Sequence, residues 1–305
     1  MGSATGAMDK NGFQPSAWHF AALLGGNAAL AIGPWFVRLA DTGPVSLGFW
    51  RLLLPLPILL LLARRESGEQ RLDRRRVFWI AFAGIAFALD LVAWHIGIHL
   101  TRLGNSVLLA NSGSLFLMIW GLFQLRRAPH ANEAAAIVAA LAGGAILLGR
   151  SFEISAETLL GDLLCLTAGA FYVLYLIPAQ KARQGLGQWT VLSLVSIAGA
   201  PVLLLIALAA GEPVLPSTAG WLPVVAMATT GQLVGQALIV YSLRHFPPLI
   251  IGLALLSQPA LAALVGWLAF RETLAPADVL GMGLVAAALL IAKLAEPRSA
   301  APRRR

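Results

Sequence analysis

The sequence predicts an all-α integral membrane protein with ten transmembrane helices, arranged as two inverted five-helix repeats with both termini in the cytoplasm. Three observations predict this fold class: the hydropathy pattern, the distribution of basic residues and an internal repeat. Of the 305 residues, 58% are hydrophobic and 12% are charged, and the mean hydropathy is +0.78. Soluble domains carry about 25% charged residues. Little of this chain can therefore form a soluble domain.

Ten apolar stretches follow one another along the chain, each long enough to cross a bilayer. A hydrocarbon core about 30 Å thick requires roughly 20 apolar residues in a helix. The predicted spans are residues 16–39, 44–63, 77–100, 104–124, 133–150, 158–180, 188–210, 219–241, 247–270 and 275–294. Because the connections between them are short, we expect the function to be carried out inside or across the membrane.

Basic residues fall mainly in alternate loops, which sets the orientation through the positive-inside rule. With the N-terminus inside, the inner side holds Lys10, Arg64, Arg65, Arg71, Arg74, Arg75, Arg76, Arg126, Arg127, Lys181, Arg183, Arg244, Lys293, Arg298, Arg303, Arg304 and Arg305. The outer side holds Arg38, Arg102, Arg150 and Arg271. The formal net charge of +8 is therefore distributed over short loops and does not form the continuous basic face that nucleic acid requires.

An internal repeat relates the two halves of the chain. Residues 115–148 align with residues 260–293 without a gap, and this register places Arg126 on Arg271. The charge distribution puts Arg126 inside and Arg271 outside, so the two halves are predicted to have opposite orientations. The alternative is a chance similarity between two membrane segments rich in Leu and Ala.

The repeat divides the chain into residues 1–150, which begin with a polar segment over 1–15, and residues 151–305, which end in a basic tail. Because each half contains five helices, the second half must enter the membrane from the opposite side. Inverted repeats of this kind recur among secondary transporters and can exchange conformations to give alternating access to a central site.

Local motifs add a resemblance to a known family. They are Gly48-Phe49-Trp50-Arg51, Leu256-Ser257-Gln258-Pro259, Arg271-Glu272-Thr273-Leu274, and Gly281 with Gly283. With these motifs the chain resembles the drug/metabolite transporter superfamily, specifically its EamA-type members. It looks most like bacterial amino-acid exporters, including the aromatic amino-acid exporters of the YddG type. The resemblance implies a multi-pass protein of the inner (plasma) membrane. The chain departs from the family at Arg126-Arg127, where an acidic residue is common, and at Ser114, which stands where the second half has Pro259.

Polar residues within the spans are the candidates for a substrate site, since such groups are costly in lipid. Asp90 lies deep in the third span, with Trp94 one turn on; in the eighth span Gln232 and Gln236 are also four residues apart. The repeat pairs Asp90 with Gln232 and Trp94 with Gln236, so two polar faces are predicted to point at one axis. In the alternative interpretation Asp90 is protonated or hydrogen-bonded to a neighbouring helix and has no substrate role.

Further polar and aromatic side chains complete the predicted cavity. They are Asn111 and Ser114 in the fourth span, Tyr172 and Tyr175 in the sixth, and Gln258 in the ninth. Each of them alone is explained equally well by hydrogen bonding between helices. As a set they predict a cavity with hydrogen-bonding groups and aromatic walls.

Three other polar residues within the spans favour structural interpretations. Arg51 is expected to extend towards the membrane surface or pair with a backbone carbonyl, the alternative being a substrate carboxylate. His95 and His99 have metal-ligand spacing, but no third ligand lies nearby in the sequence. Neither a Walker motif nor a His-Glu-x-x-His motif occurs. We therefore expect no catalytic residues, no metal and no cofactor.

The sequence is most consistent with a secondary transporter that exports small metabolites, with amino acids as the expected substrates. Its partners are then a small-molecule substrate and the lipid bilayer. Efflux of drugs or purine-type metabolites is the alternative within transport, and a membrane-embedded enzyme or scaffold is the alternative from another class. Proton coupling, facilitated diffusion and the oligomeric state stay open at this point.

Overall fold

The computed structural model describes residues 16–66, 73–125, 127–149, 155–270 and 274–295. All regular secondary structure in these ranges is helical and forms ten helical segments. They are α1 (Ala17–Leu39), α2 (Pro44–Arg64), α3 (Arg74–Leu100), α4 (Leu103–Ala110 and Ser112–Leu125), α5 (Ala131–Gly149), α6 (Leu159–Arg183), α7 (Gln188–Ala209), α8 (Trp221–Ser242), α9 (Pro248–Leu255 and Gln258–Phe270) and α10 (Pro276–Ala295).

Seven of the segments in the described ranges are long and apolar enough to cross a membrane, namely α1, α2, α3, α4, α6, α7 and α8. The apolar parts of α5, α9 and α10 are shorter, at 10–17 residues each within those ranges. The helical membrane class is thereby confirmed, whereas ten crossings and the inverted repeat stay predictions. Residues 1–15 and 296–305, together with Arg126, Arg150 and residues 271–273, lie outside the described residues.

Apart from the interruptions of α1 at Ile32 and of α2 between Leu53 and Leu56, two of the described helices break near the middle of the bundle. α4 is interrupted at Asn111, where the first half of the helix ends and the second begins at Ser112. α9 is interrupted between Leu255 and Gln258. Pro259 explains the second break, because proline has no N–H to donate to the carbonyl four residues earlier.

α8 carries a different irregularity, a π-helical stretch over Ala228–Gln236 between two α-helical ends. A π-helical turn is closed by i→i+5 hydrogen bonds, so it is wider than an α-helical turn. Such stretches are rare and frequently occur at functional sites.

The helices pack in a small number of long interfaces. α3 lies along α6, α5 lies along α10, α7 contacts both α2 and α3, α4 contacts α9, and α1 contacts α8. α4 also contacts α6. Glycines permit this approach and that of α5 to α10: a Cβ added to Gly113 would lie 2.7 Å from the Gly169 carbonyl oxygen, and one added to Gly143 would lie 2.7 Å from the Gly281 carbonyl oxygen. Close backbone contact through small residues is typical of helices packed in membranes.

Interhelical contacts show which loops meet at each end of the bundle. At one end, the rings of His19 and His245 are 4.1 Å apart, and the Trp189 N–H donates to Glu66 at 2.9 Å. This end, here called the His19 end, therefore joins the start of α1 with the α2–α3, α6–α7 and α8–α9 connections.

The opposite end, here called the Gly43 end, joins the α1–α2, α3–α4 and α7–α8 connections and the start of α6. The Gly43 N–H donates to the Pro213 carbonyl at 3.2 Å, and Arg38 Nη2 donates to the Thr101 carbonyl at 3.0 Å. The Thr101 hydroxyl in turn donates to Asp162 at 2.5 Å. The connections from α1 to α4, and those from α6 to α9, thus alternate between the two ends.

Candidate functional site

A cavity lies inside the bundle and contains about 640 Å³ of empty space, including its mouth. The lining residues are Leu30, Gly33, Arg51, Phe87, Asp90, Trp94, Ala110, Asn111, Ser114, Tyr172, Met227, Gly231, Gln236, Leu255 and Gln258. They come from α1, α2, α3, α4, α6, α8 and α9, so the cavity lies where most of the helices converge.

The cavity brings together most of the side chains that the sequence predicts for the site. Asp90, Trp94, Asn111, Ser114, Tyr172, Gln236 and Gln258 line it. Tyr175 is fully buried behind them, and its hydroxyl donates to Gln236 Oε1 at 3.3 Å. A part in substrate binding remains a prediction for all of these residues.

Gln232 and Gln236 differ in their surroundings although they are four residues apart. Gln236 lines the cavity, and its Nε2 donates to the Tyr172 hydroxyl at 3.3 Å. Gln232 is buried outside the cavity lining, and its Nε2 donates to Ser196 Oγ in α7 at 3.3 Å. Both lie in the π-helical stretch of α8. The wider turn separates the directions of residues that would share one face of an α-helix.

The helix breaks place the polar groups of α4 and α9 at the cavity. Asn111 Nδ2 donates to the Val107 carbonyl at 2.8 Å, and Ser114 Oγ donates to the Asn111 carbonyl at 2.5 Å. The same two carbonyls also accept backbone N–H groups, that of Val107 from Asn111 and that of Asn111 from Ser114. In α9, Gln258 Nε2 donates to Asn27 Oδ1 in α1 at 3.1 Å, which connects the two helices beside the cavity.

Arg51 also lines the cavity, although the sequence analysis favoured a position at the membrane surface or on a backbone carbonyl and kept a substrate carboxylate as the alternative. Only 3% of its surface is exposed, and its guanidinium carbon lies 5.6 Å from the centre of the Phe87 ring. Its Nε is buried and has no hydrogen-bond partner in the part of the chain that the structure describes, so the side chain neither reaches the membrane surface nor pairs with a backbone carbonyl through this atom. The one available signal was its depth, about 10 Å below the outer end of the predicted span at 1.5 Å per residue.

His95 has a structural environment. It is fully buried, and its Nδ1 lies 2.9 Å from the Pro44 carbonyl oxygen, which ties α3 to the start of α2. Among the residues that the structure describes, no group of three or more His, Cys, Asp or Glu side chains could hold a metal ion.

Comparison with known proteins identifies relatives over most of the chain. Residues 159–294, which contain α6 to α10, match the model of the EamA-like transporter family. The chain is 28% identical over 243 residues to the threonine/homoserine exporter RhtA of Escherichia coli strain K12, covering 79% of each protein. The RhtA sequences of E. coli O6:H1 and O157:H7 match to the same extent.

A solved crystal structure shares the fold. It aligns with a TM-score of 0.71 and 19% sequence identity, covering 92% of this chain and 97% of the other. At that identity the likeness concerns the arrangement of the helices alone.

Proposed function

We propose that this multi-pass inner-membrane protein exports amino acids by alternating access to the central cavity, since residues 159–294 match the model of the EamA-like transporter family. The observation that carries the proposal is the cavity itself, which combines two opposite charges, amide and hydroxyl groups and aromatic walls between converging helices. Such a lining suits a small polar metabolite. The similarity to exporters of threonine and homoserine favours amino acids as that metabolite.

The packing pattern supports an inverted repeat. If helix n of the first half corresponds to helix n+5 of the second, the α1–α8 interface corresponds to α6–α3, α4–α6 to α9–α1, and α3–α7 to α8–α2. All of these interfaces occur. The α2–α7, α4–α9 and α5–α10 interfaces each correspond to themselves, and they occur too. Two equivalent halves related in this way can exchange their conformations, which is the basis of alternating access.

Two glutamates repeat one structural device at opposite ends of the bundle. Glu212, after α7, accepts from the Ser46 N–H at 2.9 Å and the Ser46 hydroxyl at 3.2 Å, at the start of α2. Glu66, after α2, accepts from the Thr190 N–H at 3.1 Å and the Thr190 hydroxyl at 2.8 Å, at the start of α7. The reciprocal arrangement means that α2 and α7 are antiparallel and end in equivalent contacts.

Glycines complete this correspondence. Gly43 precedes α2 and Gly187 precedes α7, and each is three residues before the hydroxyl residue that the glutamate binds. A Cβ added to Gly43 would collide with Glu212, and one added to Gly187 would collide with Glu66. The same local chemistry has therefore been kept at both sites, which favours a repeat over a chance similarity.

The helix breaks fit the same relation. α4 is interrupted at Asn111 and α9 after Leu255, and Asn111 corresponds to Leu256 in the register that aligns residues 115–148 with residues 260–293. Both breaks adjoin the cavity, since Asn111 and Leu255 line it. A broken helix from each half at a shared central site is the arrangement found in inverted-repeat transporters.

The distribution of basic residues supports cytoplasmic termini. Connections that meet at the His19 end carry Arg64, Arg65, Arg74, Arg75, Arg76, Lys181, Arg183 and Arg244. Described basic residues at the Gly43 end are Arg38 and Arg102. By the positive-inside rule, the His19 end faces the cytoplasm.

Counterflow in liposomes tests the proposed function. Purified protein is reconstituted with internal unlabelled L-threonine, L-homoserine or L-phenylalanine, and entry of the external labelled compound is followed. We expect exchange faster than in protein-free liposomes for at least one amino acid. Trp94→Ala should lower that exchange several-fold, because Trp94 lines the cavity. Trp120→Ala is the matched control, since Trp120 is 37% exposed at the bundle surface and should leave exchange unchanged.

Two outcomes would contradict the proposal. Exchange of purines or drugs without exchange of any amino acid would favour the alternative efflux function. If no compound on a broad panel moves faster than in protein-free liposomes, a membrane-embedded enzyme or scaffold becomes the better hypothesis.

A further inference from the structure

Buried charged side chains elsewhere in the bundle show how this protein satisfies structural charges. Arg183 is buried, and its Nε and Nη1 donate to the carbonyls of Val240 and Leu186. Asp162 is also buried, and it accepts from the Thr101 hydroxyl and from Asn105 Nδ2. These charges have hydrogen-bond partners supplied by the chain, as buried charges generally do.

Arg51 and Asp90 are different. Among the described residues, neither side chain takes part in a hydrogen bond or an ion pair, although they are 3% and 9% exposed respectively. Both line the same cavity, one from α2 and the other from α3. A second donor in the cavity lining, Trp94 Nε1, is also buried without a partner. The cavity therefore contains unpartnered donors and an unpartnered carboxylate.

These groups are complementary to a ligand that carries both charges. A guanidinium pairs well with a carboxylate, and a carboxylate with an ammonium group. A ligand with one charge would satisfy one of the two side chains and leave the other desolvated, which is strongly unfavourable in a buried site. A zwitterion satisfies both and leaves the cavity with no net charge.

The wall next to Arg51 leaves little spare room. A Cβ added to Gly231, in the π-helical stretch of α8, would lie 3.2 Å from Arg51 Nε and 3.3 Å from its guanidinium carbon. The backbone of α8 thus packs directly on the guanidinium and limits its position. Any side chain at residue 231 would press on Arg51.

We propose that the cavity recognises the two charged groups of an α-amino acid separately, with Arg51 and Trp94 Nε1 binding the carboxylate and Asp90 binding the ammonium group. This inference rests on the proposed function and specifies its substrate class as zwitterions. It follows that an amine or a hydroxy acid of the same size binds much more weakly than the amino acid. Selection then depends on charge, with the rest of the cavity deciding which side chain fits.

Binding measurements on the detergent-purified full-length protein test this directly. Titration calorimetry compares L-threonine with 1-amino-2-propanol, which lacks the carboxylate, and with 3-hydroxybutyrate, which lacks the ammonium group. The wild-type protein should bind L-threonine at least about tenfold more tightly than either analogue, the loss expected when a charged hydrogen bond is removed. L-Phenylalanine with phenethylamine and 3-phenylpropionate forms a second matched series.

The variants separate the two charges. Arg51→Gln should abolish the preference for the amino acid over the amine, whereas Asp90→Asn should abolish its preference over the hydroxy or phenyl acid. Arg51→Lys should restore part of the first preference. Gly231→Ala should weaken binding of the amino acid and of the acid more than binding of the amine, because the new Cβ displaces Arg51 and leaves Asp90 in place. It also provides a test of the carboxylate site if Arg51→Gln does not fold, and thermal unfolding checks each variant.

Three results would overturn this inference. They are equal binding of amino acid and analogues by the wild-type protein, no binding of either amino acid, and an unchanged preference in folded variants at positions 51 and 90. Because calorimetry measures binding and counterflow measures transport, exchange with no charge preference would reject the zwitterion site and keep the transporter. If binding shows a clear charge preference but no amino acid is exchanged, the zwitterion site is kept and the transport function is rejected.

Discussion

At the scale of single residues, the buried charges of this bundle have two kinds of surroundings. Arg183 and Asp162 make hydrogen bonds to the chain that hold helices together. Arg51 and Asp90 instead border an open space. The same residue type is therefore structural in one place and a candidate for ligand binding in another, and the hydrogen-bond partners distinguish the two cases.

Two Asp→Asn substitutions should separate these roles. Asp90→Asn should abolish amino-acid exchange at every pH from mildly acidic to mildly alkaline while leaving thermal stability near that of wild type, because no hydrogen bond among the described residues depends on its carboxylate. Counterflow and thermal unfolding measured together check this. Exchange that persists but no longer responds to an imposed proton gradient would instead assign Asp90 to proton coupling, and a wild-type profile would remove it from the pathway.

Asp162→Asn is the matched comparison. Thr101 and Asn105 both donate to Oδ1 of Asp162, so the amide oxygen of the variant can accept from both of them. These hydrogen bonds lose the negative charge of the carboxylate, and about 1–2 kcal/mol of stability should be lost. Folded protein should still exchange amino acids, since Asp162 does not line the cavity. A variant that is fully stable would show that these hydrogen bonds contribute little to the fold.

At the scale of elements, the first turns of α2 and α7 are each capped by a glutamate that follows the C-terminal end of the other helix. Glu212 also accepts from the Val45 N–H at 3.3 Å, and Glu66 accepts from the Trp189 N–H at 2.9 Å. Backbone N–H groups in the first turn of a helix have no partner within the helix. A carboxylate there satisfies them and also interacts favourably with the helix dipole.

Removing either glutamate should destabilise the bundle by a similar amount. Glu212→Ala and Glu66→Ala should each lower the free energy of unfolding by about 1–2 kcal/mol, the usual cost of losing a helix cap. Chemical or thermal unfolding in detergent measures this. Glu157→Ala is the control, because Glu157 is exposed and should have little effect. If only one of the two glutamates affected stability, the equivalence of the two contacts would be rejected.

Hydropathy was sufficient to predict the helical segments because each must satisfy its backbone in lipid. The predicted spans over 77–100 and 188–210 correspond to Arg74–Leu100 and Gln188–Ala209. The π-helical stretch of α8 was not predictable, since no local sequence signal marks it. Its consequence is that Gln232 contacts Ser196 and does not line the cavity with Gln236.

The cavity was predictable in part for a similar reason. Polar side chains deep in apolar spans either bind a neighbour or face a cavity, and the sequence alone does not decide between these for a single residue. Asp90 and Arg51 illustrate this limit: the first was assigned to the site and the second to the structure, yet both line the cavity. The positions of the surrounding helices are needed to decide whether such a side chain contacts a neighbour or faces a cavity.

At the scale of the whole molecule, the ends of the bundle differ in charge, and the proposed orientation follows from that difference. Single cysteines replacing Ser67 and Ser299, both outside the described residues, should react with an impermeant thiol reagent only from the cytoplasmic side. One replacing Ser155 should react only from outside. The native Cys165 is buried and serves as an unlabelled background. Labelling of position 67 from outside would reverse the proposed topology.

The central claim is that one cavity opens alternately to both sides of the membrane. A cysteine replacing Ser114, a small cavity residue that is 2% exposed, tests this most directly. Its reaction with an impermeant thiol reagent is measured in right-side-out and inverted vesicles, with and without the transported amino acid. The proposed mechanism predicts reaction from both sides and protection by the amino acid in each case. Reaction from one side alone, with no protection by any exchanged amino acid, would contradict alternating access.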